Sequence, residues 1–81
     1  MRVRLFAQAR EAAGRSHDER VAATLGQLLD DLRADYGAAF AAVLAGARVW
    51  VNGDEPLDGD ATPLHDGDEV AVLPPVSGGT C

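Results

Sequence analysis

The residues with the clearest chemical potential lie at the end of this 81-residue chain, where residues 73–81 read LPPVSGGTC. Proline fixes φ and lacks an N–H donor, so Pro74 and Pro75 should end any β-ladder and send the chain out in an extended form. Glycine has no Cβ, so Gly78 and Gly79 can pass through a slot that side chains would block. Five or six extended residues reach about 20 Å. The segment is therefore either a frayed terminus or a chain end that enters another protein's pocket.

A carboxyl group at this end could do chemistry only after activation. An α-carboxylate has a pKa of about 3.5, so near neutral pH it is an anion and a poor electrophile. Another enzyme would have to activate it, for example by adenylation, before a nucleophile could capture it. A threadable diglycine end on a chain without a site of its own fits an acyl-group carrier.

No self-contained active site accompanies the tail. His17 and His65 are isolated in predicted polar loops, and Ser77 has no histidine near it in sequence. Residues 66–68, Asp-Gly-Asp, are too short for a calcium loop. Cys81 is the only cysteine, which excludes an internal disulfide and any multi-cysteine metal site. We therefore expect no catalysis by this chain alone, no metal and no bound cofactor.

Composition limits the partners and the compartment. Thirteen acidic residues against seven basic ones give a formal charge of −6, which argues against nucleic acid and favours partners with basic surfaces. All seven basic residues are arginines, so the chain offers no side-chain amine for an isopeptide bond. No apolar run approaches the ~20 residues of a membrane span and no signal pattern opens the chain, so we expect a cytoplasmic protein.

The first half of the chain predicts two strands and an amphipathic helix. Residues 1–7 alternate as in a half-buried strand, residues 8–14 favour one or two helical turns, and residues 19–23 suggest a weaker strand hairpinned with the first. The strongest local signal is the helix from Thr24 to Gly37, which starts with a capping-box pattern. Its apolar stripe consists of Leu25, Leu28, Leu29, Leu32 and Tyr36.

The second half predicts the remaining strands. Residues 38–46 favour a helical turn or two, 47–51 a strand, Asn52-Gly53 a tight turn, 55–57 a short return strand and 69–73 the last strand. This order predicts an α+β domain over residues 1–73, a mixed sheet crossed by one main helix, followed by a flexible tail over residues 74–81. The crossover helix allows the first and last strands to be neighbours.

The outer face of such a sheet would carry an apolar patch. Alternation points Met1, Val3, Leu5, Val49, Val51, Val70 and Val72 inward. Phe6, Trp50 and Leu73 would point outward, among Arg2, Arg4 and Arg48. Large apolar side chains on an open face suggest a partner-docking patch. The alternatives are a loop that covers them or a register shifted by one residue.

Four stretches, in order, resemble the small subunit of molybdopterin synthase, a ubiquitin-like sulfur carrier. They are residues 3–14 (VRLFAQAREAAG), 49–53 (VWVNG), 64–71 (LHDGDEVA) and 74–79 (PPVSGG). The Ala-Arg-Glu-x-x-Gly segment after the first strand favours this branch over the similar thiamine-pathway carriers. The resemblance covers nearly the whole chain and implies a β-grasp (ubiquitin-like) fold.

The resemblance also implies a mechanism and its partners. An E1-like adenylyltransferase would use ATP to adenylate the carboxyl of Gly79, and a sulfur donor would convert the adenylate to a thiocarboxylate. The tail would then enter the large synthase subunit and give its sulfur to a cyclic pterin precursor. In this scheme Gly78 lets the tail thread into the large subunit, and the residues that line the channel are Pro74, Pro75, Val76 and Ser77. The folded domain docks through Phe6, Trp50 and Leu73. Arg10 contacts a partner.

The two residues after Gly79 depart from the family pattern, because they leave the carboxyl of Gly79 blocked. A protease could remove Thr80 and Cys81, they could be foreign to the natural chain, or Cys81 could act itself as a persulfide or crosslinking thiol. If the chain must be trimmed, two other functions remain alternatives. The protein could carry sulfur for another product (cysteine, thiamine or a thiolated metabolite), or it could be a protein modifier that is attached to lysines. A β-grasp docking module with an incidental tail is the non-carrier alternative.

Overall fold

The computed structural model describes residues 1–75, which form a four-stranded mixed sheet with three α-helices. In chain order the elements are β1 (Arg2–Leu5), α1 (Ala7–Ala13), β2 (His17–Glu19), α2 (Leu25–Tyr36), α3 (Ala38–Ala45), β3 (Arg48–Val51), a 3₁₀ turn (Gly59–Ala61) and β4 (Glu69–Leu73). The strands lie in the order β2-β1-β4-β3. β1 is parallel to β4, and the other two neighbouring pairs are antiparallel. Within residues 1–75, each helix is too short or too polar to cross a membrane.

The first and last strands lie side by side in the middle of the sheet, as the crossover helix allows. Val3 pairs with Val70, and Leu5 pairs with Val72. The inner face is the one predicted by alternation: Met1, Val3, Leu5, Val70 and Val72 are buried, and Val49 and Val51 on the edge strand β3 are half-buried. The register predicted from the sequence is therefore confirmed for the two central strands.

α2 and α3 close the core over this inner face. The predicted stripe of α2 is buried at Leu25, Leu28, Leu29 and Leu32, and half-buried at Tyr36. α3 is eight residues long, about two turns as predicted, and it contributes Phe40 and Leu44 to the core. The ring of Phe40 is fully buried and meets Tyr36 edge-on, with the two ring centroids 5.0 Å apart.

α2 begins with the predicted cap. The Thr24 hydroxyl accepts a hydrogen bond from the Gln27 backbone N–H at 3.3 Å. The Gln27 side-chain oxygen accepts in return from the N–H of Ala23 at 2.8 Å, one residue before the position that a capping box uses. Gly37, with φ of +90°, separates the end of α2 from the start of α3. The Thr24 hydroxyl thus satisfies one backbone donor that the first turn of α2 leaves free, and Gln27 satisfies the donor of Ala23 just before the cap.

The prediction for β2 was wrong in its bounds. The strand occupies His17–Glu19 instead of residues 19–23, and it pairs Arg4 with His17 and Arg2 with Glu19. α1 ends at Gly14, whose φ of +76° turns the chain back early, so pairing with β1 starts before the apolar residues arrive. Val21, expected in the strand, is exposed.

The predicted return strand at residues 55–57 was also wrong. Asn52 and Gly53 do form the tight turn, with φ of +54° and +82°. Beyond it there is only an isolated bridge between Val51 and Asp54. Pro56 has no N–H to continue a ladder, which explains why pairing stops there.

A polar cluster ties β2 to the end of α2. Arg20 pairs with Asp18 at 2.8 Å and with Asp35, and its guanidinium lies 5.4 Å from the centroid of the Tyr36 ring. The Tyr36 hydroxyl donates to Asp18. Burial alone raises the pKa of Asp18, but hydrogen bonds from Tyr36, Arg20 and the Glu19 N–H outweigh it and hold the pKa below the ordinary 3.8. Burial and the bond to Asp18 raise the pKa of Tyr36.

The lowered pKa of Asp18 predicts an acid-sensitive contribution to stability. Because the folded pKa lies below the unfolded one, the ion pairing stabilises the fold above pH ~4 and is lost as the pH falls through the folded pKa. Asp18→Asn should therefore reduce the free energy of unfolding by about 1–2 kcal/mol at pH 7, and by much less in strong acid. Urea unfolding at several pH values measures this, with Asp30→Asn as control, since Asp30 is largely exposed. An equal loss at all pH values would contradict it.

Candidate functional site

The outer face of the sheet is built by the same alternation that buries the core. The register places Arg4 beside Ala71 and Ala71 beside Trp50, so Arg4 and Trp50 flank the short side chain of Ala71. One row further along, Arg48 pairs with Leu73. Trp50 and Leu73 are half-buried. The face therefore combines arginines with large apolar side chains, a composition that is enriched at protein interfaces.

Phe6 is held at the point where β1 turns into α1. Its N–H donates to the carbonyl of Val72 at 3.2 Å, and its carbonyl accepts from the N–H of Ala9 at 3.0 Å. Ala7 then turns the chain with φ of +49°, a left-handed conformation that costs roughly 1–2 kcal/mol for an alanine. The Phe6 side chain is 36% exposed, and the Arg4 guanidinium lies 5.5 Å from its ring centroid. Phe6 is therefore an exposed aromatic ring on a fixed backbone, next to Leu73 in register.

A cationic groove of about 510 Å³ adjoins Phe6. It is lined by Arg2, Arg4, Leu5, Phe6, Arg10, Ser16 and His17. Arg2 pairs with Glu19 at 3.4 Å and Arg4 with Glu69 at 3.8 Å, but all four side chains are about half exposed or more, so these pairs are weak. Within residues 1–75, Arg10 makes no ion pair. The predicted contact residue Arg10 thus lies across a groove from Arg4, with a charge available to a partner.

The local charge of this face is opposite to the net charge of the chain. Four of the seven arginines, Arg2, Arg4, Arg10 and Arg48, lie on or beside it, together with Glu19 and Glu69. The face therefore carries about +2, and the remainder of the chain about −8, of the total of −6. A positive face on an acidic protein suits a partner with an acidic surface, rather than the basic one that composition favours.

Trp50 is less open than the sequence suggested. It also lines a groove of about 380 Å³ at the β3 edge, together with Arg48, Glu55 and Pro56. The loop after β3 thus lies close to the Trp50 side chain, which was one of the alternatives to docking. Neither Phe6 nor Leu73 lines this groove, although Leu73 pairs with Arg48, which does.

The root of the tail lies beside two helices. β4 ends at Leu73, as the prolines predict, and Pro74 is half-buried while Pro75 is exposed. Both prolines line a groove of about 270 Å³ with Gln8 of α1 and with Ala42, Val43 and Gly46 of α3 and its end. Val76, Ser77, Gly78 and Gly79, the other predicted site residues, lie outside the described residues.

The two histidines considered in the sequence lie in different places, His17 in the cationic groove and His65 in a turn. His17 lies in the cationic groove, where its ring is 3.4 Å from the Ser16 hydroxyl. The sequence missed it because His17 fell in a predicted polar loop before the strand expected over residues 19–23, although alternation along β2 puts His17 and Glu19 outward. His65 lies in a turn, where its N–H donates to Asp68 at 2.8 Å. The His65 N–H and the Asn52 side-chain amide both donate to the Asp68 carboxylate and lower its pKa. In residues 1–75 no three side chains cluster to hold a metal.

Comparison with known proteins identifies relatives over nearly the whole chain. The model of the ThiS family matches residues 3–79. Small archaeal modifier protein 3 of Haloferax volcanii is 41% identical over 93 aligned positions, which cover 98% of each chain. The solution structure of small archaeal modifier protein 1 from Methanosarcina acetivorans superposes with a TM-score of 0.84 at 31% identity, covering 96% of this chain and 94% of that one.

A third relative was solved with its partner. In a complex of subunits 1 and 2 of the molybdopterin-converting factor from Helicobacter pylori, one chain is 28% identical to this protein with a TM-score of 0.73, covering 96% of both chains. The ubiquitin-like β-grasp fold expected from the sequence is confirmed by these neighbours and by the mixed sheet. The chain belongs to the ThiS family of small ubiquitin-like carrier and modifier proteins.

Proposed function

We propose that this protein is a sulfur carrier whose Gly79 is adenylated and thiocarboxylated, after removal of Thr80 and Cys81, to supply sulfur for molybdopterin. It would act with an E1-like adenylyltransferase that uses ATP, a sulfur donor and a large synthase subunit, and a protease would trim its end. The chain itself would be non-catalytic. Sulfur delivery for another product, such as cysteine or thiamine, uses the same tail and differs only in the receiving enzyme.

One observation carries the proposal: the docking face and the tail share a strand. β4 contributes Leu73 to the outer face and leads directly into Pro74. A partner that grips Phe6 and Leu73 therefore fixes the start of the tail, and the six residues from Pro74 to Gly79 reach about 20 Å beyond it. The folded domain would fix the position of the tail on the partner, and the two glycines would let the last residues enter a narrow channel.

The proposed reaction at Gly79 needs no side chain from the folded domain. The Gly79 carboxylate would attack the α-phosphate of ATP, forming the acyl adenylate and releasing pyrophosphate. A hydrosulfide ion from the sulfur donor would then add to the acyl carbon, AMP would leave with the electrons of its bond, and loss of the S–H proton would give the thiocarboxylate. Its sulfur is a good nucleophile near neutral pH because it is an anion there. The folded domain would contribute only binding and orientation.

A protein modifier is the second candidate, because a relative at 41% identity is named a small archaeal modifier protein. In that role a lysine amine of a target would attack the same activated Gly79 and form an isopeptide bond. Both roles need the same docking and activation, and they differ in the nucleophile that arrives. Mass increments on target lysines would support the modifier, and a thiocarboxylate on this chain would support the carrier.

Charge reversal in the cationic groove tests the docking face. Arg10→Glu should weaken binding of a chain ending at Gly79 to the E1-like enzyme of the same cell by about 30-fold, as expected for an interfacial arginine placed against an acidic surface. Arg33→Glu makes the same charge change on the solvent side of α2, and should change binding by less than about threefold. The measurements are the dissociation constant and the rate of ATP-dependent loading, followed by intact mass.

Control measurements distinguish binding through the outer face of the sheet from the chemical reaction at Gly79. Wild-type protein that binds but never gains sulfur or a conjugate would overturn the carrier role and leave a docking module. Equal effects of Arg10→Glu and Arg33→Glu would overturn the docking face. Circular dichroism of both variants should match wild type, because both arginines are exposed.

A further inference from the structure

We propose that this chain donates an acyl group but does not accept one, so that in its folded state it is attached singly and is not extended into chains of itself. The inference rests on the proposed activation of Gly79, and it holds for the carrier and for the modifier. In the carrier it protects the activated tail from self-acylation. In the modifier it ends each conjugate after one unit.

The side chains supply no acceptor amine. Among the 81 residues there is no lysine, and all seven basic side chains are arginines. A guanidinium stays protonated in proteins and has no lone pair to attack a carbonyl carbon. The α-amine of Met1 is therefore the only primary amine that these residues contain.

In the folded chain the α-amine of Met1 is held by a hydrogen bond. The Met1 ammonium donates to the carbonyl of Arg20 at 2.8 Å, and the carbonyl of Met1 accepts from the N–H of Arg20 at 3.0 Å. The two residues thus extend the pairing of β1 with β2. Met1 is only 8% exposed, with its side chain in the core. To act as a nucleophile, the amine would have to lose its proton and turn its lone pair towards the incoming acyl group. The hydrogen bond to Arg20 and the packing of Met1 in the core both restrict that movement.

The approach to the amine is also unfavourable. The cleft beside it has a volume of about 290 Å³ and is lined by Met1, Arg2, Glu19, Gly67, Asp68 and Glu69. Three of these residues carry carboxylates, against two positive charges, the Arg2 guanidinium and the Met1 ammonium itself, so the cleft carries a net charge of about −1. An acyl adenylate carries a negative phosphate, which this cleft would repel.

The excluded step is an ordinary acyl transfer. The lone pair of an amine attacks the carbonyl carbon of activated Gly79, the new C–N bond forms, the bond to AMP breaks, and the amine loses a proton. An exposed lysine of another protein meets these requirements. The folded chain offers only the Met1 α-amine, which is hydrogen-bonded to Arg20 and partly buried.

Chemical acetylation tests the inference without any partner enzyme. The native chain and the chain unfolded in concentrated urea are treated with the N-hydroxysuccinimide ester of acetic acid, and amine acetylation is followed by intact mass after hydroxylamine removes esters. We expect the native chain to react at least about tenfold more slowly than the unfolded one. Equal rates would overturn the inference.

Two variants serve as controls. Ala39→Lys adds an amine on an exposed position of α3 and should be acetylated equally fast in both states. A chain with Gly-Ser placed before Met1 moves the α-amine away from Arg20 and should lose the protection, and retained protection would contradict the role given to that contact. Because the reagent requires neither ATP nor Gly79, this result and the loading of Gly79 succeed or fail independently.

Discussion

A chain that ends at Gly79 should be adenylated and loaded with sulfur, whereas a chain lacking residues 78–81 should not be loaded at all. The reason is chemical: only the first has a carboxyl group on an unbranched residue that can pass through a narrow channel. The full 81-residue chain should load only after Thr80 and Cys81 are removed. Intact mass after incubation with the E1-like enzyme, ATP and a sulfur donor measures all three.

The same truncations should leave the domain intact. The buried core ends at Val72, β4 ends at Leu73 and Pro75 is exposed, so removal of residues 78–81 should change the free energy of unfolding by less than about 0.5 kcal/mol. The shortened chain should also still bind its activating enzyme through the outer face. Loading of the untrimmed chain without loss of mass would contradict the role of Gly79 and shift attention to Cys81.

Phe40→Ala should cause the largest loss of stability among substitutions in the domain. Phe40 of α3 is fully buried in the hydrophobic core and contacts Tyr36, so truncation leaves a cavity and removes apolar contacts. Such changes cost about 3–5 kcal/mol. A domain of this size has a total stability of about 5–15 kcal/mol, so the variant should be partly unfolded well below the wild-type melting temperature.

Urea unfolding gives the comparison, with Leu57→Ala as the matched control. Among residues 1–75, Leu57 is the most exposed large apolar residue at 98%, and its truncation should cost less than about 0.5 kcal/mol. A loss below about 1 kcal/mol for Phe40→Ala would mean that the site collapses around the smaller side chain, contrary to the close packing of the core.

The parts of the fold with a regular apolar pattern could be predicted from the sequence. Alternation identified Val3 and Val70 as inward, and the cap at Thr24 marked the start of the main helix. β2 could not be placed, because His17, Asp18 and Glu19 are all polar and their strand is held by pairing with β1 and by the contacts of Asp18. Tertiary contacts overrode local preference there.

The candidate site was predicted in part. The outward positions of Phe6 and Leu73 followed from alternation, and the parallel pairing of β1 with β4 makes them neighbours. The groove between Arg4 and Arg10 depends on the angle at which α1 leaves β1, which is set by the positive φ of Ala7 and has no pattern in the sequence. The roles of the tail residues 76–79 remain predictions.

The central pairing of β1 with β4 has a consequence for synthesis. Arg2 lies beside Glu69, so the strand made first must wait for the strand made last before the sheet can close. Contacts of such high sequence separation fold slowly, and they cannot form while the last strand is still inside the ribosome. Phe6 and Leu73 therefore come together only after β4 has left the ribosome. An activating enzyme that binds this pair would therefore ignore nascent chains and chains truncated before the end of β4.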